Sequence, residues 1–162
     1  MSAEDACEPG LKLDAYLPYR LSVASNAVSG LIARAYQDRF GLTVPQWRVI
    51  CVLADEGGMT QGQIVTRTFM DKVTVSRAAQ GLSGRRLVQR SEHHADGRSH
   101  VLSLTPEGRR LFGEVAPLAL AYEAALISGL APEEVDLLRR LLSRLQAAAT
   151  ALAGESEPPP LG

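Results

Sequence analysis

Only one stretch of this chain departs from helical periodicity. Leu87–Ser91 and His100–Leu104 read as strands on either side of the turn-rich segment His93-His-Ala-Asp-Gly-Arg98, and together they predict a two-stranded hairpin. The other patterned segments repeat their apolar residues at i, i+3, i+4 spacing, the signature of helices with one buried face. At 162 residues the chain has the length of one domain. These observations restrict the fold to a mainly α domain that carries one small β-hairpin.

The first helix is expected over roughly Leu13 to Arg39, where Leu13, Leu17, Leu21, Ala24, Val28, Leu31 and Ala35 form one long apolar stripe. Pro18 falls in its first turn and Gly41 stops it. A second helix runs from about Pro45 to Asp55, closed by Gly57-Gly58, with Val49, Val52 and Leu53 facing the core. Thr60-Gln-Gly-Gln63 is a capping box that opens a short helix to about Arg67. Asp71 then caps a helix from Lys72 to about Gly84. Its buried set is Val75, Ala78, Ala79 and Leu82, which leaves Thr74 and Arg77 outward with Val73, Ser76 and Gln80 on the flanks. Gly81 weakens this helix by about 1 kcal/mol relative to Ala. After the hairpin, Thr105-Pro106 starts a helix to about Ser128 with an expected kink at Pro117. Ala131-Pro132, a poor cap, opens the last helix, which ends near Thr150. Residues 1–11 and 154–162 are expected to be disordered tails around a single domain of residues 12–153.

Composition narrows the function. With 46% apolar and 22% charged residues the chain is not intrinsically disordered, and two cysteines do not make a disulfide scaffold. The net charge of −1 argues at first against nucleic acid, but it is unevenly spread. Residues 60–110 hold nine basic and four acidic side chains, so this window carries +5 and the remainder −6. An acidic N-terminus (Glu4, Asp5, Glu8) lacks the basic start of a secretory signal, and apolar stretches such as Val115–Tyr122 fall far short of the roughly 20 residues that span a bilayer. A cytoplasmic protein with reduced thiols and no membrane association is the expectation. No glycine-rich phosphate loop, nucleophile elbow or paired-carboxylate motif marks an enzyme, and no cofactor is expected.

Helix, helix, short helix, amphipathic helix and basic-tipped hairpin is the order of a winged helix-turn-helix. Such a helix fits the major groove, where its short polar residues reach base edges, while arginines at the helix end and hairpin meet phosphates or a narrow minor groove. From about Leu13 to Gln146 the chain resembles the multiple-antibiotic-resistance regulator (MarR) family of bacterial transcription factors. The resemblance is carried by Phe40-Gly-Leu-Thr-Val-Pro-Gln-Trp-Arg48, Asp71-Lys-Val-Thr-Val-Ser-Arg77, Asp96-Gly-Arg98 and Leu102-Ser-Leu-Thr-Pro-Glu-Gly108. It implies a homodimer on double-stranded DNA, at a pseudo-palindromic operator, with a DNA-binding lobe over about 42–105 and dimerisation helices over about 12–40 and 106–150. It also implies Thr74, Ser76 and Arg77 on the major-groove face, Lys72 on backbone phosphate, and Arg98 in the minor groove oriented by Asp96. Arg90 belongs to the same candidate DNA-binding set. One departure is Arg86, where the family usually has glycine, so that glycine's free access to positive φ is lost.

The family is often switched by a small aromatic or phenolic effector, and Tyr19, Arg20, Trp47 and Arg48 are the candidates to bind one. Arginine beside aromatic rings suits an aromatic acid or its coenzyme A thioester; the competing reading is that Trp47 is core and the arginines form surface or dimer ion pairs. A thiol-based redox regulator is an alternative, although Cys51 lies among core residues, Cys7 lies in the tail, and Pro18 stands where peroxide-sensing relatives carry their cysteine. His93, His94, Asp96 and His100 have the right types for zinc, but no Cys or Glu completes a recognised spacing, and no metal is expected. A helical dimerisation module without DNA binding is the remaining rival; it would not need arginines at a hairpin tip.

Overall fold

The computed structural model describes residues 10–92 and 100–154. Its elements are, in order, α1 (Leu17–Ala33), α2 (Gln37–Phe40), α3 (Val44–Glu56), β1 (Met59–Thr60), α4 (Gln61–Thr68), α5 (Lys72–Gly84), β2 (Val88–Glu92), β3 (His100–Leu104), α6 (Pro106–Ile127) and α7 (Pro132–Gly154). The chain divides into two compact units, Met1–Tyr122 and Glu123–Gly162.

The first unit holds the buried core. Capping sets its helix starts. Thr43 and Gln46 form a full capping box on α3, and Thr60 and Gln63 form the expected one on α4, each pair satisfying two N–H groups that helix geometry leaves orphaned. Asp71 caps α5 as expected. Val75, Ala78, Ala79 and Leu82 are all buried, the face that the spacing predicts. On α3, Val49 and Leu53 are buried with Trp47 and Ile50, while Val52 is only half-buried. Burying each aliphatic side chain of this kind contributes about 1.5–3 kcal/mol, enough for a small lobe to hold together around α3, α4, α5 and the sheet.

Two expectations are corrected. The single helix over Leu13–Arg39 is instead α1 and α2, broken at residues 34–36. Ala33, Ala35 and Tyr36 are all buried. Positions 33 and 35 lie about 200° apart on a helix, so one straight helix could not turn all three into the same core. The two-stranded hairpin is a three-stranded antiparallel sheet in the order β1-β3-β2. Met59 pairs with Leu102 on one edge of β3, and Arg90 pairs with Leu102 on the other. Two residues are too short to show strand alternation, so β1 left no periodic trace.

Where β2 follows α5 the backbone closes on itself. Gly108 is buried in the first turn of α6, and a Cβ there would stand 2.1 Å from the Leu87 carbonyl oxygen. Only glycine allows that approach. Thr105 ties the same corner, donating its hydroxyl to the Arg86 carbonyl at 2.7 Å and accepting from the Gly108 N–H at 3.0 Å. α6 continues as one helix through Pro117.

In the second unit, Ala131 supplies no side-chain cap to α7; instead Glu134 accepts from the Ala131 N–H at 2.8 Å. Arg139 pairs with Asp136 at 3.5 Å and Glu123 at 3.8 Å. No residue of α7 is buried. No single described helix is long and apolar enough to cross a membrane.

Candidate nucleic-acid interface

The turn between α4 and α5 fixes how α5 is presented. Phe69 ends α4 in the left-handed region at φ 56° and donates its N–H to the Val65 carbonyl. Thr68 donates its hydroxyl to the Ile64 carbonyl at 2.7 Å and accepts from the Met70 N–H at 3.3 Å. Met70 and Val75, the residues flanking the cap at the positions of a hydrophobic staple, are both buried. The helix is therefore anchored by its apolar face and its start, and the opposite ridge of Val73, Arg77 and Gln80 is exposed beside Lys72.

Asp71 does more than cap. Its carboxylate accepts from the Thr74 N–H at 2.8 Å and from the Thr74 hydroxyl at 2.6 Å. Those bonds, the hydroxyl one first, hold the Asp71 carboxyl below its ordinary pKa. The Thr74 hydroxyl proton is thus committed within the helix, and its oxygen is left to act as an acceptor. Ser76, half-buried, accepts from the Gln80 amide at 3.4 Å. Both expected groove residues remain on α5, with part of their hydrogen-bonding capacity already used.

The basic window also resolves into two kinds of arginine. Arg67 pairs with Glu56 at 3.3 Å and Asp55 at 3.6 Å. Arg85 donates to the Phe40 and Gly41 carbonyls at 2.7 and 3.1 Å, capping the C-terminus of α2. Arg109 donates to the Leu104 carbonyl at 2.8 Å, and Arg110 pairs with Glu107 and with Glu114. Among the described residues no carboxylate lies at ion-pairing distance from Lys72, Arg77, Arg86 or Arg90. Arg90 lines an open groove of about 370 Å³ with His100, Leu102 and the start of α4 at Gln61 and Gly62. Asp96 and Arg98 lie outside the described residues, as do His93 and His94.

The candidate effector residues are not gathered in one place. Trp47 is only 8% exposed and stacks between Tyr36 at 5.4 Å and Phe112 at 5.8 Å. That is the core placement of the competing reading of Trp47; the sequence did not show which two rings enclose it. Arg48 is exposed and donates to Ser29 at 3.1 Å. Tyr19 and Arg20 are also exposed, but about 15 Å of helix separates them from Ser29. Burial pushes the Cys51 thiol up to about 12, which suppresses its reactive thiolate.

Comparison with known proteins places this geometry. Residues 40–99 match the model of the MarR family. A probable transcriptional regulator from Pseudomonas aeruginosa is 32% identical, superposes with a TM-score of 0.71, and is matched over 83% of this chain and 99% of its own. The chain belongs to the MarR family. The regulator TtmR of Methylorubrum extorquens is 29% identical over 150 residues, 91% of this chain and 74% of its own. BpsR of Bordetella bronchiseptica, whose DNA binding is regulated by 6-hydroxynicotinic acid, is 29% identical with a TM-score of 0.72, over 80% of this chain and 98% of its own. MarR-family proteins are winged-helix, DNA-binding transcriptional regulators rather than enzymes.

Membership sharpens one earlier reading. Arg86 stands where the resemblance leads one to expect glycine, yet it adopts φ 57°, the conformation that glycine would take without cost. The left-handed corner between α5 and β2 is therefore kept despite the side chain. What sequence reasoning missed was the internal employment of Arg67, Arg85, Arg109 and Arg110. The i+3 spacing of Glu107 and Arg110 could have revealed one of these contacts; the contact of Arg85 with α2, more than forty residues away, left no local signal.

Proposed function

We propose that this chain is a homodimeric repressor that grips a pseudo-palindromic operator and lets go when a small aromatic effector binds. The observation that carries the reading is the exposed ridge of α5, where Lys72 and Arg77 stand free of carboxylates among the described residues while neighbouring arginines are used internally. In this reading α5 enters the major groove with Thr74, Ser76 and Arg77, Lys72 meets phosphate, and Arg90 works with Arg98 and Asp96 in the wing. Two such lobes address half-sites one helical turn apart, about 34–36 Å. The domain division follows: a DNA lobe over about 42–105, with residues 12–40 and 106–150 building the dimer. The exposed leucines of α1 and α7 support that division, because apolar stripes of this extent ask for a partner.

The effector is an aromatic acid or its coenzyme A thioester, received by exposed Tyr19, Arg20 and Arg48 with Trp47 as a buried wall; the regulation of BpsR by an aromatic acid supports the class. Since Tyr19 and Arg20 stand apart from Arg48 on one chain, a site using all three draws on the dimer. Release follows from differential affinity: the effector favours lobe positions that no longer match successive grooves. The setting is the cytoplasm. A salt titration of duplex binding tests the reading. Affinity should fall steeply with salt as counterions are released, and Arg98→Ala should lose most operator affinity with the dimer intact. A flat salt profile would refute DNA binding. A thermal-shift screen of aromatic acids and thioesters tests the effector class, and no stabilisation by any of them counts against it.

A further inference from the structure

On the outward ridge of α5, Val73 is the apolar exception, with 59% of its surface exposed among Lys72, Arg77 and Gln80. It occupies the first turn, the part of a recognition helix that approaches base edges. Its two hydroxyl-bearing neighbours are partly committed, Thr74 to Asp71 and Ser76 to Gln80. The first turn therefore offers the groove an isopropyl group between two cations. In the major groove the one apolar group that distinguishes a base pair is the C5-methyl of thymine; the other groups that carry the code there are hydrogen-bond donors and acceptors. Against those, an isopropyl group would strip water and return no hydrogen bond.

We propose that Val73 is a specificity-determining residue that reads a thymine methyl in each operator half-site. The inference rests on the DNA-binding role assigned to α5. Lys72 holds the start of the helix to phosphate, and Val73 discriminates by burial: a thymine buries its methyl against the side chain, whereas a cytosine carries only hydrogen at that carbon and an amino group in place of the neighbouring carbonyl. Phe69, similarly exposed at 64%, lies in the turn before the cap and not on this ridge.

The test uses the full chain and a duplex recovered with it from a random-sequence pool. Thymidines are replaced singly by deoxyuridine, which keeps the hydrogen-bonding edge and removes only the methyl. Wild type should lose about fourfold in affinity at one position per half-site, the effect of one buried methyl-sized group. Val73→Ala, which removes the contact in both half-sites of the dimer, should bind the thymine duplex about sixteenfold more weakly, the fourfold loss taken twice, and show no further loss at the deoxyuridine position. Val73→Ile should keep the preference. Because the side chain is exposed, circular dichroism should match wild type in both variants. Wild type indifferent to deoxyuridine at every position, or Val73→Ala as sensitive as wild type, would overturn the proposal while leaving DNA binding standing. A pool from which nothing is retained would overturn the DNA reading itself, and this one with it.

Discussion

Helices α5 and α7 are both amphipathic, yet they solve opposite problems. α5 has 13 residues and buries four of them, so its apolar face is satisfied within the lobe and its polar face is left to work. α7 has 23 residues and buries none, although Leu138, Leu141, Leu142 and Leu145 recur at i, i+3, i+4, i+7 along one face. The same periodicity in the sequence thus has two outcomes. In α5 it describes a face covered within the chain, whereas in α7 it describes a face that the described residues leave exposed. The difference teaches that periodicity reports that a face must be covered and says nothing of what covers it.

The largest effect should come from breaking the α7 side of this contrast. Leu138→Asp with Leu142→Asp places two charges on the exposed stripe. We expect the sedimenting species to fall from dimer to monomer, and duplex affinity to drop by about 10²-fold or more as the second half-site loses its tethered advantage. An unchanged mass would remove α7 from the interface. On the α5 side, Leu82→Ala should cost about 2–5 kcal/mol of unfolding free energy by cavity formation, read as a lower denaturation midpoint, with the association state unaltered.

Smaller effects separate the arginines. Arg77→Ala should weaken duplex binding and lower the slope of log K against log salt by about one per protomer. Arg67→Ala, which removes a side chain already paired with Asp55 and Glu56, should leave that slope unchanged. Equal slopes for the two variants would erase the distinction between free and employed cations. The smallest change concerns the thiol. With Cys7→Ser as background, Cys51 should alkylate at pH 8 one to two orders of magnitude more slowly than a free cysteine, because a pKa of about 12 leaves little thiolate and its greater nucleophilicity offsets only part of that loss. Labelling at the free-thiol rate would revive the redox alternative.

What could be read in advance follows from the range of the interactions involved. The capping box at Thr60 and Gln63, the Asp71 cap and the buried face of α5 are all local, decided within four residues, and the sequence displays them. The break at residues 34–36 carries no glycine or proline, because it is imposed by Tyr36 turning into a stack with Trp47 and Phe112, partners supplied by two other helices. The outward placement of Val73, Arg77 and Gln80 on α5 was legible for the same local reason. The enclosure of Trp47 was not, because whether an indole lines a pocket or fills a core depends on residues far along the chain.

Arg86 holds the corner between α5 and the wing in a conformation that disfavours most side chains, and Thr105 pins its carbonyl from beyond the sheet. A glycine at that corner would leave a swivel. An arginine, with fewer backbone states to wander into, makes the joint stiff. α5 and the root of β2 are thereby coupled as a single lever, so that a tilt of one carries the other with it.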